Sequence, residues 1–393
     1  MSDIFKFHCP VKIVSGMAAL EKLPNELKQL GAKRPLLVSD PGVSAAGLLD
    51  QIYAAFDESE IKIAEAYDQV PADSPIGNIL EIVDLYNELR CDSFIAIGGG
   101  SAIDTTKAAN IKVTEPGIDL LHFKSVWQMR KPTQPLIVIP TTAGTGSEVS
   151  SAAVIFDTEK GIKLPLVNPN MTPSTAVIDP RMTVTLPPAL TASTGMDALA
   201  HAVEACIGTL KNPISDACAA SAIQLIGQNL VEAVRNGQNL EARMAMANAA
   251  TLAGMAFSNS MTSMVHALGH SAGAVCHIPH GTAMSLFLPG SLEFNQDTIG
   301  DFLAELLPHL AGTEATVKIP FEQRASRFIE IIREMQVEMN ALCGLPLTLK
   351  EAGVTEDKLE EIADLSVKDG TAVYNRKKFN EADALGVIKK VFE

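Results

Sequence analysis

The sequence predicts an α/β domain with a mainly parallel sheet, followed by a second domain built of helices alone. Three observations support this. Short β-branched runs alternate with helical stretches in the first half of the 393 residues. The stretch from Pro180 to Pro188 contains three prolines, which is typical of a crossing between domains. Beyond them, Ala-, Leu- and Met-rich patterns have helical periodicity and almost no strand signal. We therefore expect domains at 1–184 and 185–393.

The first domain is predicted from apolar runs that end in loops and are followed by helical patterns. The predicted strands cover 34–40, 61–67, 93–97 and 136–140. The predicted helices run from the first strand to about residue 56, then over 77–89 and 102–110. Strands that alternate with helices imply a parallel sheet wrapped by helices.

The second domain is predicted from helical patterns over 190–207, 215–235, 241–257 and 321–342. Between Met244 and Leu292 the chain contains no Asp, Glu, Lys or Arg, which indicates burial. Asn, Ser, His and Pro residues interrupt this stretch too often for a membrane span. Four of the eight histidines nevertheless lie within it. Buried neutral imidazoles are typical of a site for a divalent metal.

Composition excludes several classes of partner. The formal net charge of −15 argues against nucleic acid and against docking on an anionic membrane. The N-terminal residues have no apolar core of a signal peptide. The six cysteines are scattered and form no C-x-x-C pair, which favours reduced thiols in a cytoplasmic protein.

Two loops in the first domain have the chemistry to bind a phosphate-bearing ligand. The segment 98–104, Gly-Gly-Gly-Ser-Ala-Ile-Asp, lies between a predicted strand and a helix, where glycines and free helix N–H groups admit a phosphate. The segment 141–146 adds threonine hydroxyls after the next strand. Neither segment is the G-x-G-x-x-G motif, and each alone is equally compatible with a tight turn.

Asp40 ends the first strong strand and has two interpretations. Its carboxylate could bind ribose hydroxyls and repel a 2′-phosphate, which would favour NAD over NADP. It could instead cap a helix or turn before Pro41 and Gly42.

Candidate metal ligands occur as spaced pairs. Asp197 and His201 are four residues apart in a helical pattern, His266 and His270 repeat that spacing, and His280 follows. One carboxylate and three imidazoles would hold Fe²⁺, Zn²⁺, Co²⁺ or Ni²⁺. A single histidine of this kind is more often a hydrogen-bonded core residue, but the clustering favours a site. Not every histidine can bind one ion, so we assign proton handling to His270 and His277.

Together these motifs resemble those of the iron-containing, or group III, alcohol dehydrogenase family. The resemblance covers nearly the whole chain, through 10–16, 98–104, 141–148, 179–204 and 266–281. It implies a dehydroquinate synthase-like architecture, with a Rossmann-like dinucleotide domain, a helical metal-binding domain and an active site in the cleft between them.

The resemblance also implies roles for individual residues. Asp197, His201, His266 and His280 match the metal ligands. Some relatives, the glycerol dehydrogenases, bind zinc and lack the histidine at the position of His201, so ferrous iron is expected, with zinc as the alternative. The positions that match the lining of the NAD site are Asp40, Gly98, Gly99, Gly100, Ser101, Thr141, Thr142, Thr145, Ser150, Ala152, Lys163, Met182, Leu186 and, beside the nicotinamide, His270. One departure is that Pro71-Ala-Asp-Ser-Pro75 replaces the usual Pro-Asn-Pro.

The expected function is NAD- and iron-dependent hydride transfer to or from small primary alcohols, diols or aldehydes, with His270, His277 or a 2′-hydroxyl relay in the proton path. The family expectation for assembly is a homodimer or a larger assembly of dimers. Anionic aldehyde or keto substrates, such as a sulfo- or phosphono-aldehyde or maleylacetate, are the alternative, as is a synthase-type cyclisation. They would need a cation, which the uncharged stretch does not supply, although Lys163 or residues 350–380 could. A non-enzymatic binding protein is the remaining alternative.

Overall fold

A computed structural model describes residues 4–123, 129 and 131–393. The chain forms two compact units. The sheet unit contains residues 9–185, and the helical unit contains residues 186–393 together with residues 4–8. The predicted fold class, a parallel-sheet domain and a helical domain, is confirmed.

The sheet unit is built on six parallel strands in the order β1-β8-β5-β4-β2-β3. These strands are β1 (Lys12–Ser15), β2 (Pro35–Val38), β3 (Glu65–Tyr67), β4 (Ser93–Gly98), β5 (Leu136–Pro140) and β8 (Thr175–Ile178). A separate antiparallel hairpin consists of β6 (Ala152–Asp157) and β7 (Ile162–Val167). Strands β2, β4 and β5 are buried along their whole length, which explains why they are continuous apolar runs.

Helices cover both faces of the sheet. They are α1 (Leu23–Gln29), α2 (Pro41–Ala45), α3 (Leu48–Ala55), α4 (Ile76–Glu88) and α5 (Gly100–Thr114). Alternate side chains of β4 point to opposite faces. Phe94 and Ala96 pack in one core with residues of α4 and α5, whereas Ile95 and Ile97 pack in the other with residues of α1 and α3.

The strand register brings the candidate loops to one edge of the sheet. Val38 pairs with Ala96, and Gly98 pairs with Pro140. Because these strands are parallel, the segments that follow β2, β4 and β5 all leave at the carboxyl edge, where open α/β sheets bind ligands.

Several predicted elements differ from the observed ones. The strand predicted at 61–67 is limited to β3, and the helix predicted to run to residue 56 is divided into α2 and α3 by Gly47, which has a φ of 71°. Strands β6, β7 and β8 were not predicted. Apolar side chains on both hairpin strands are exposed, and β8 is a four-residue run, so neither gave a clear pattern.

The helical unit contains no strand among its described residues. Its helices are α6 (Pro188–Ile207), α7 (Pro213–Arg235), α8 (Leu240–Ser260), α9 (Met264–Cys276), α10 (His280–Ala311), α11 (Thr313–Thr316), α12 (Phe321–Cys343), α13 (Leu359–Lys368) and α14 (Glu381–Phe392). Helix α6 is buried over nearly all of its length and packs against α7, α8 and α10. Within the described part of the chain, no helix is both long and apolar enough to cross a membrane.

Candidate metal centre and cofactor loops

The four residues predicted as metal ligands meet at one point in the helical unit. Asp197 and His201 lie on α6, His266 lies on α9 and His280 is the first residue of α10. One potential ligand atom from each lies within 4.8 Å of the others. Asp197 Oδ1 is 3.3 Å from His280 Nε2, 3.8 Å from His201 Nδ1 and 3.9 Å from His266 Nε2. A single ion could therefore contact all four side chains.

The burial of this cluster fits a bound cation. Asp197 Oδ1 and His266 Nε2 are buried and form no hydrogen bond with any residue that the structure describes. Leaving such atoms unsatisfied costs about 1–3 kcal/mol each. A divalent ion bound between them would offset that cost, and a carboxylate with three imidazoles is a donor set that Fe²⁺ and Zn²⁺ accept.

The electrostatics of the cluster also favour a cation. Burial alone would raise the pKa of Asp197, but the neighbouring imidazoles outweigh it and hold this pKa below its usual value. Burial and the other imidazoles hold the pKa of His266 well below its usual value. Asp197 is therefore a carboxylate and His266 a neutral ring, the forms in which both bind metals.

A close helix contact brings His280 over Asp197. A Cβ on Gly281 would lie 2.5 Å from the carbonyl oxygen of Ser193 on α6, too close for any side chain. Glycine therefore lets the first turn of α10 pack directly on the backbone of α6.

Glu204, a residue that sequence reasoning did not assign to the site, links α6 to α9. Its Oε2 hydrogen-bonds Nδ1 of His266, while its Oε1 accepts from the Ser263 hydroxyl at 2.7 Å and from the Val265 N–H at 2.8 Å. A carboxylate that accepts a hydrogen bond from Nδ1–H keeps the proton on Nδ1 and leaves the lone pair on Nε2, the atom that faces Asp197. Burial raises the pKa of Glu204 to about 7, and the bonds from Ser263 and Val265 oppose that rise.

The two histidines predicted to handle protons have different surroundings. The half-exposed ring of His270 lies 5.5 Å from the His280 ring and 5.6 Å from the His266 ring, between centroids. His277 is exposed, and its backbone is in the left-handed region, with a φ of 57°. The structure therefore groups His270, but not His277, with the metal cluster.

Asp369 was also missed by sequence reasoning. Its Oδ2 lies 3.0 Å from Nδ1 of His270. Burial alone would raise the pKa of Asp369, but the hydrogen bonds from His270 and Thr371 outweigh it and lower this pKa. Asp369 is 99 residues from His270 in sequence, and no spacing pattern connects them.

At the carboxyl edge of the sheet unit, Gly98 lies close to Asp40. Gly98 has a φ of 150°, and a Cβ there would be 2.7 Å from Cβ of Ala102 and 2.9 Å from Oδ2 of Asp40. Oδ1 of Asp40 accepts the N–H of Val43 at 3.0 Å and caps α2. The cap interpretation of Asp40 is thus observed, and its second oxygen faces the glycine loop.

The two segments predicted to bind a phosphate, 98–104 and 141–146, contact each other. Thr141 donates its N–H to the Gly98 carbonyl at 3.0 Å. A Cβ on Gly99 would lie 3.2 Å from the Thr142 side chain, and one on Gly100 would lie 3.1 Å from the Thr145 side chain. Threonine hydroxyls and the first N–H groups of α5 therefore occupy one small region, which is suitable for a phosphate group.

Ser150 and Ala152 have a structural partner in the buried ammonium of Lys107. Lys107 Nζ lies 3.0 Å from both the hydroxyl and the carbonyl oxygen of Ser150, 2.8 Å from the Ala152 carbonyl and 3.1 Å from the Ser147 hydroxyl. Asp104 accepts from the Ser147 hydroxyl and from the Val154 N–H. Burial lowers the pKa of Lys107 to about 8, against the opposing effect of Asp104.

Ser101 and Lys163 contact the segment in which this chain departs from the family pattern. Asp73 donates its N–H to the Ser101 hydroxyl at 3.3 Å, and its carboxylate pairs with Lys163 Nζ at 2.6 Å. Asp73 and Ser74 both have positive φ values, of 69° and 54°.

The last two predicted cofactor residues, Met182 and Leu186, belong to different units. Met182 is fully buried in the core beneath β4 and β5. Leu186 belongs to the helical unit, where its carbonyl accepts from Arg243 at 3.1 Å.

Comparisons with known proteins match this arrangement. The pattern described as iron-containing alcohol dehydrogenase matches residues 10–180, and the C-terminal pattern of the Fe-containing alcohol dehydrogenase family matches residues 191–392. The chain belongs to the iron-containing alcohol dehydrogenase family. It is therefore an oxidoreductase. Its cluster of one aspartate and three histidines is consistent with metal binding.

Relatives in the family cover the whole chain. Alcohol dehydrogenase 4 of Saccharomyces cerevisiae (strain ATCC 204508 / S288c) is 35% identical and is matched over 100% of both chains. The NAD-dependent methanol dehydrogenase of Bacillus methanolicus is 34% identical, with 98% of each covered. The crystal structure of a 1,3-propanediol oxidoreductase superposes with a TM-score of 0.94 at 33% identity, over 99% of this chain and 100% of that one.

Proposed function

We propose that this family member is an NAD-dependent, Fe²⁺-dependent alcohol dehydrogenase and aldehyde reductase that acts on small primary alcohols or diols. The convergence of Asp197, His201, His266 and His280, with buried ligand atoms left unsatisfied, is the observation that carries the proposal. When bound, the ferrous ion supplies a Lewis acid that lowers the pKa of an alcohol, and the nicotinamide supplies the hydride acceptor.

The residues around the cluster keep it ready for this chemistry. Glu204 fixes the His266 ring so that Nε2 carries the lone pair. His201 is packed between Phe257 and His266, with centroid distances of 4.2 and 4.6 Å. Rings held in this way lose little freedom when an ion binds, which favours a defined coordination geometry.

The sheet unit has the groups that NAD requires. The Gly98–Gly100 backbone, Thr142, Thr145 and the start of α5 provide donors for a pyrophosphate. Oδ2 of Asp40 can accept a ribose hydroxyl while Oδ1 caps α2, and its negative charge disfavours the 2′-phosphate of NADP. The NAD-dependence of the Bacillus methanolicus relative is consistent with this choice.

The charges near the cluster favour a neutral substrate. Three carboxylates, those of Asp197, Glu204 and Asp369, contact the cluster histidines and His270. A bound divalent ion would offset the charges of Asp197 and Glu204, whereas Asp369, beside the half-exposed His270, would oppose the binding of a sulfo- or phosphono-aldehyde or of maleylacetate. Lys163, the cation considered from the sequence, is paired with Asp73 in the sheet unit.

Activity measured together with metal content tests the proposal. The protein is purified without oxygen, its iron per chain is measured, and NADH formation is followed at 340 nm with ethanol, butanol, 1,2-propanediol and 1,3-propanediol. Aldehyde reduction with NADH is measured with butyraldehyde and with sulfoacetaldehyde. We expect iron-dependent oxidation of at least one neutral alcohol. Activity confined to sulfoacetaldehyde would favour the anionic alternative, and inactivity with all substrates in iron-loaded protein would contradict the proposal.

A cytoplasmic location and a homodimer, or an assembly of dimers, complete the proposal. The boundary near residue 184 is proposed as the division between the nucleotide-binding part, 1–184, and the metal-binding part, 185–393. Cell fractionation and light scattering of the purified protein test the location and the assembly.

A further inference from the structure

His270 is held by one ring nitrogen. Its Nδ1 lies 3.0 Å from Oδ2 of Asp369, while the ring itself is partly exposed beside His280 and His266. A carboxylate can only accept a hydrogen bond, so the proton of the neutral ring is on Nδ1 and the lone pair is on Nε2. Nε2 forms no hydrogen bond with any described residue, which leaves it available to a small ligand.

Asp369 is itself fixed in place. Thr371 donates its N–H to Oδ1 of Asp369 at 2.7 Å, and the Thr371 hydroxyl lies 2.6 Å from the same oxygen. That hydroxyl also lies 3.1 Å from the carbonyl oxygen of Ser263, immediately before α9. Helix α9 carries both His266 and His270. Through Thr371, Asp369 is therefore linked to the start of the same helix that carries its partner His270.

The segment that follows Asp369 is anchored to other helices of the same unit. The Tyr374 carbonyl accepts the N–H of Thr209, and Arg376 donates to the carbonyls of Ile207 and Gly208 at the end of α6. Asn375 donates to Asn295 of α10 at 2.8 Å. These contacts restrict the movement of Asp369 relative to α6, α9 and α10, the helices that carry the metal cluster.

We propose that Asp369 is a positioning residue that sets the orientation and tautomer of His270, so that Nε2 is presented to the alcohol or aldehyde bound at the metal cluster. The kinetic part of this inference rests on the proposed function. Asp369 acts through His270 and does not touch the substrate. The arrangement parallels the carboxylate that orients the histidine of a catalytic triad.

The test compares Asp369→Asn with Asp364→Asn. The first variant keeps the size of the side chain but removes its charge, and the second changes an exposed carboxylate of α13 that pairs only with Lys368 in the described structure. For Asp369→Asn we expect a kcat lower by roughly ten- to hundredfold, the usual effect of removing such a partner. We expect the KM, iron content, melting temperature and NADH affinity to stay unchanged, and the solvent deuterium isotope effect on kcat to rise. Asp364→Asn should match the wild type in every measurement.

A second readout does not depend on turnover. Imidazole ¹⁵N shifts are recorded on zinc-loaded, ¹⁵N-histidine-labelled protein, with His270 assigned by the signal lost in His270→Gln. We expect the Nδ1–H tautomer in the wild type and its loss in Asp369→Asn. An unchanged tautomer in Asp369→Asn would overturn the inference, whether or not the wild-type protein is active. Inactivity of the wild-type protein would contradict the proposed function and would leave this tautomer test valid. Unchanged kcat in an active enzyme, or a loss of kcat that parallels lost iron or a lower melting temperature, would also overturn it.

Discussion

The helical unit holds the buried Asp197 among three imidazoles, and the sheet unit holds the buried Lys107 among hydroxyl and carbonyl oxygens, but the two clusters differ in how many of their polar atoms are hydrogen-bonded. Around Lys107, four oxygens lie within 3.1 Å of the ammonium, and Asp104 accepts from Ser147 and Val154. Around Asp197, one carboxylate oxygen and one imidazole nitrogen form no hydrogen bond with the described residues.

This difference separates a structural network from a binding site. A buried ammonium whose hydrogen-bond partners are all supplied by the chain holds elements together, here α5 and residues 147–152. A buried cluster with unsatisfied ligand atoms has a cost that only a further group can offset. The same comparison therefore predicts which substitutions change metal binding and which change stability.

The largest effect is expected for His266→Ala. Removing this ligand should abolish tight iron binding and lower kcat by about 1,000-fold or more, because the Lewis acid contributes several kcal/mol. NAD binding should stay measurable by NADH fluorescence. His309→Ala, on α10 but outside the cluster, is the matched control and should retain iron. Normal iron content and turnover in His266→Ala would remove His266 from the ligand set.

Lys107→Met should lower the stability of the fold and leave metal binding unchanged. It leaves the oxygens of Ser147, Ser150 and Ala152 without their buried donor, so we expect the free energy of unfolding to fall by about 3–5 kcal/mol in urea titrations. Iron per chain should stay the same. Lys112→Met removes a lysine on the same helix that binds only carbonyl oxygens, and its cost should be about 1.5–3 kcal/mol. A loss of iron in Lys107→Met would contradict the separation between the two clusters.

Glu204→Gln should weaken the metal site without emptying it. The variant removes the charge that holds the Nδ1 proton of His266, and we expect iron affinity to fall by roughly 10- to 100-fold in chelator competition. Glu232→Gln, a substitution on the neighbouring helix α7, is the control. Equal iron affinities in Glu204→Gln and Glu232→Gln would show that Glu204 only links α6 to the start of α9 and does not support metal binding.

The smallest effect is expected for Asp40→Asn. Asparagine caps helices as well as aspartate does, so the substitution isolates the charge from the cap of α2. We expect the ratio of NADP to NAD activity to rise by roughly fivefold, the factor for about 1 kcal/mol of repulsion near water. Asp40→Gly should raise the ratio similarly. A constant ratio in both variants would show that the role of Asp40 is only to cap the helix.

The sequence predicted correctly those features whose residues all lie on one helix, strand or continuous segment. Asp197 and His201 are one turn apart on a helix, and the uncharged stretch from Met244 to Leu292 indicated that the histidines within it are buried. The strands β2, β4 and β5 were found because burial on both faces makes them continuous apolar runs. Their register then places the glycine and threonine loops together.

The sequence could not predict contacts that tertiary structure alone creates. Glu204 lies seven residues after Asp197 on the same helix, a signal that could have identified it, but its partners Ser263 and Val265 come from another element. Asp369 reaches His270 only through the fold of the segment after α13. Lys107 gave no signal in the sequence, since its partners come from residues 147–152, which lie before and at the start of the unpredicted strand β6.

Anomalous scattering measured at the iron edge, on crystals of anaerobically purified protein, would locate the bound metal. We predict one strong peak per chain, within bonding distance of Asp197, His201, His266 and His280. A peak elsewhere, or no peak at this cluster in protein that contains one iron per chain, would contradict it.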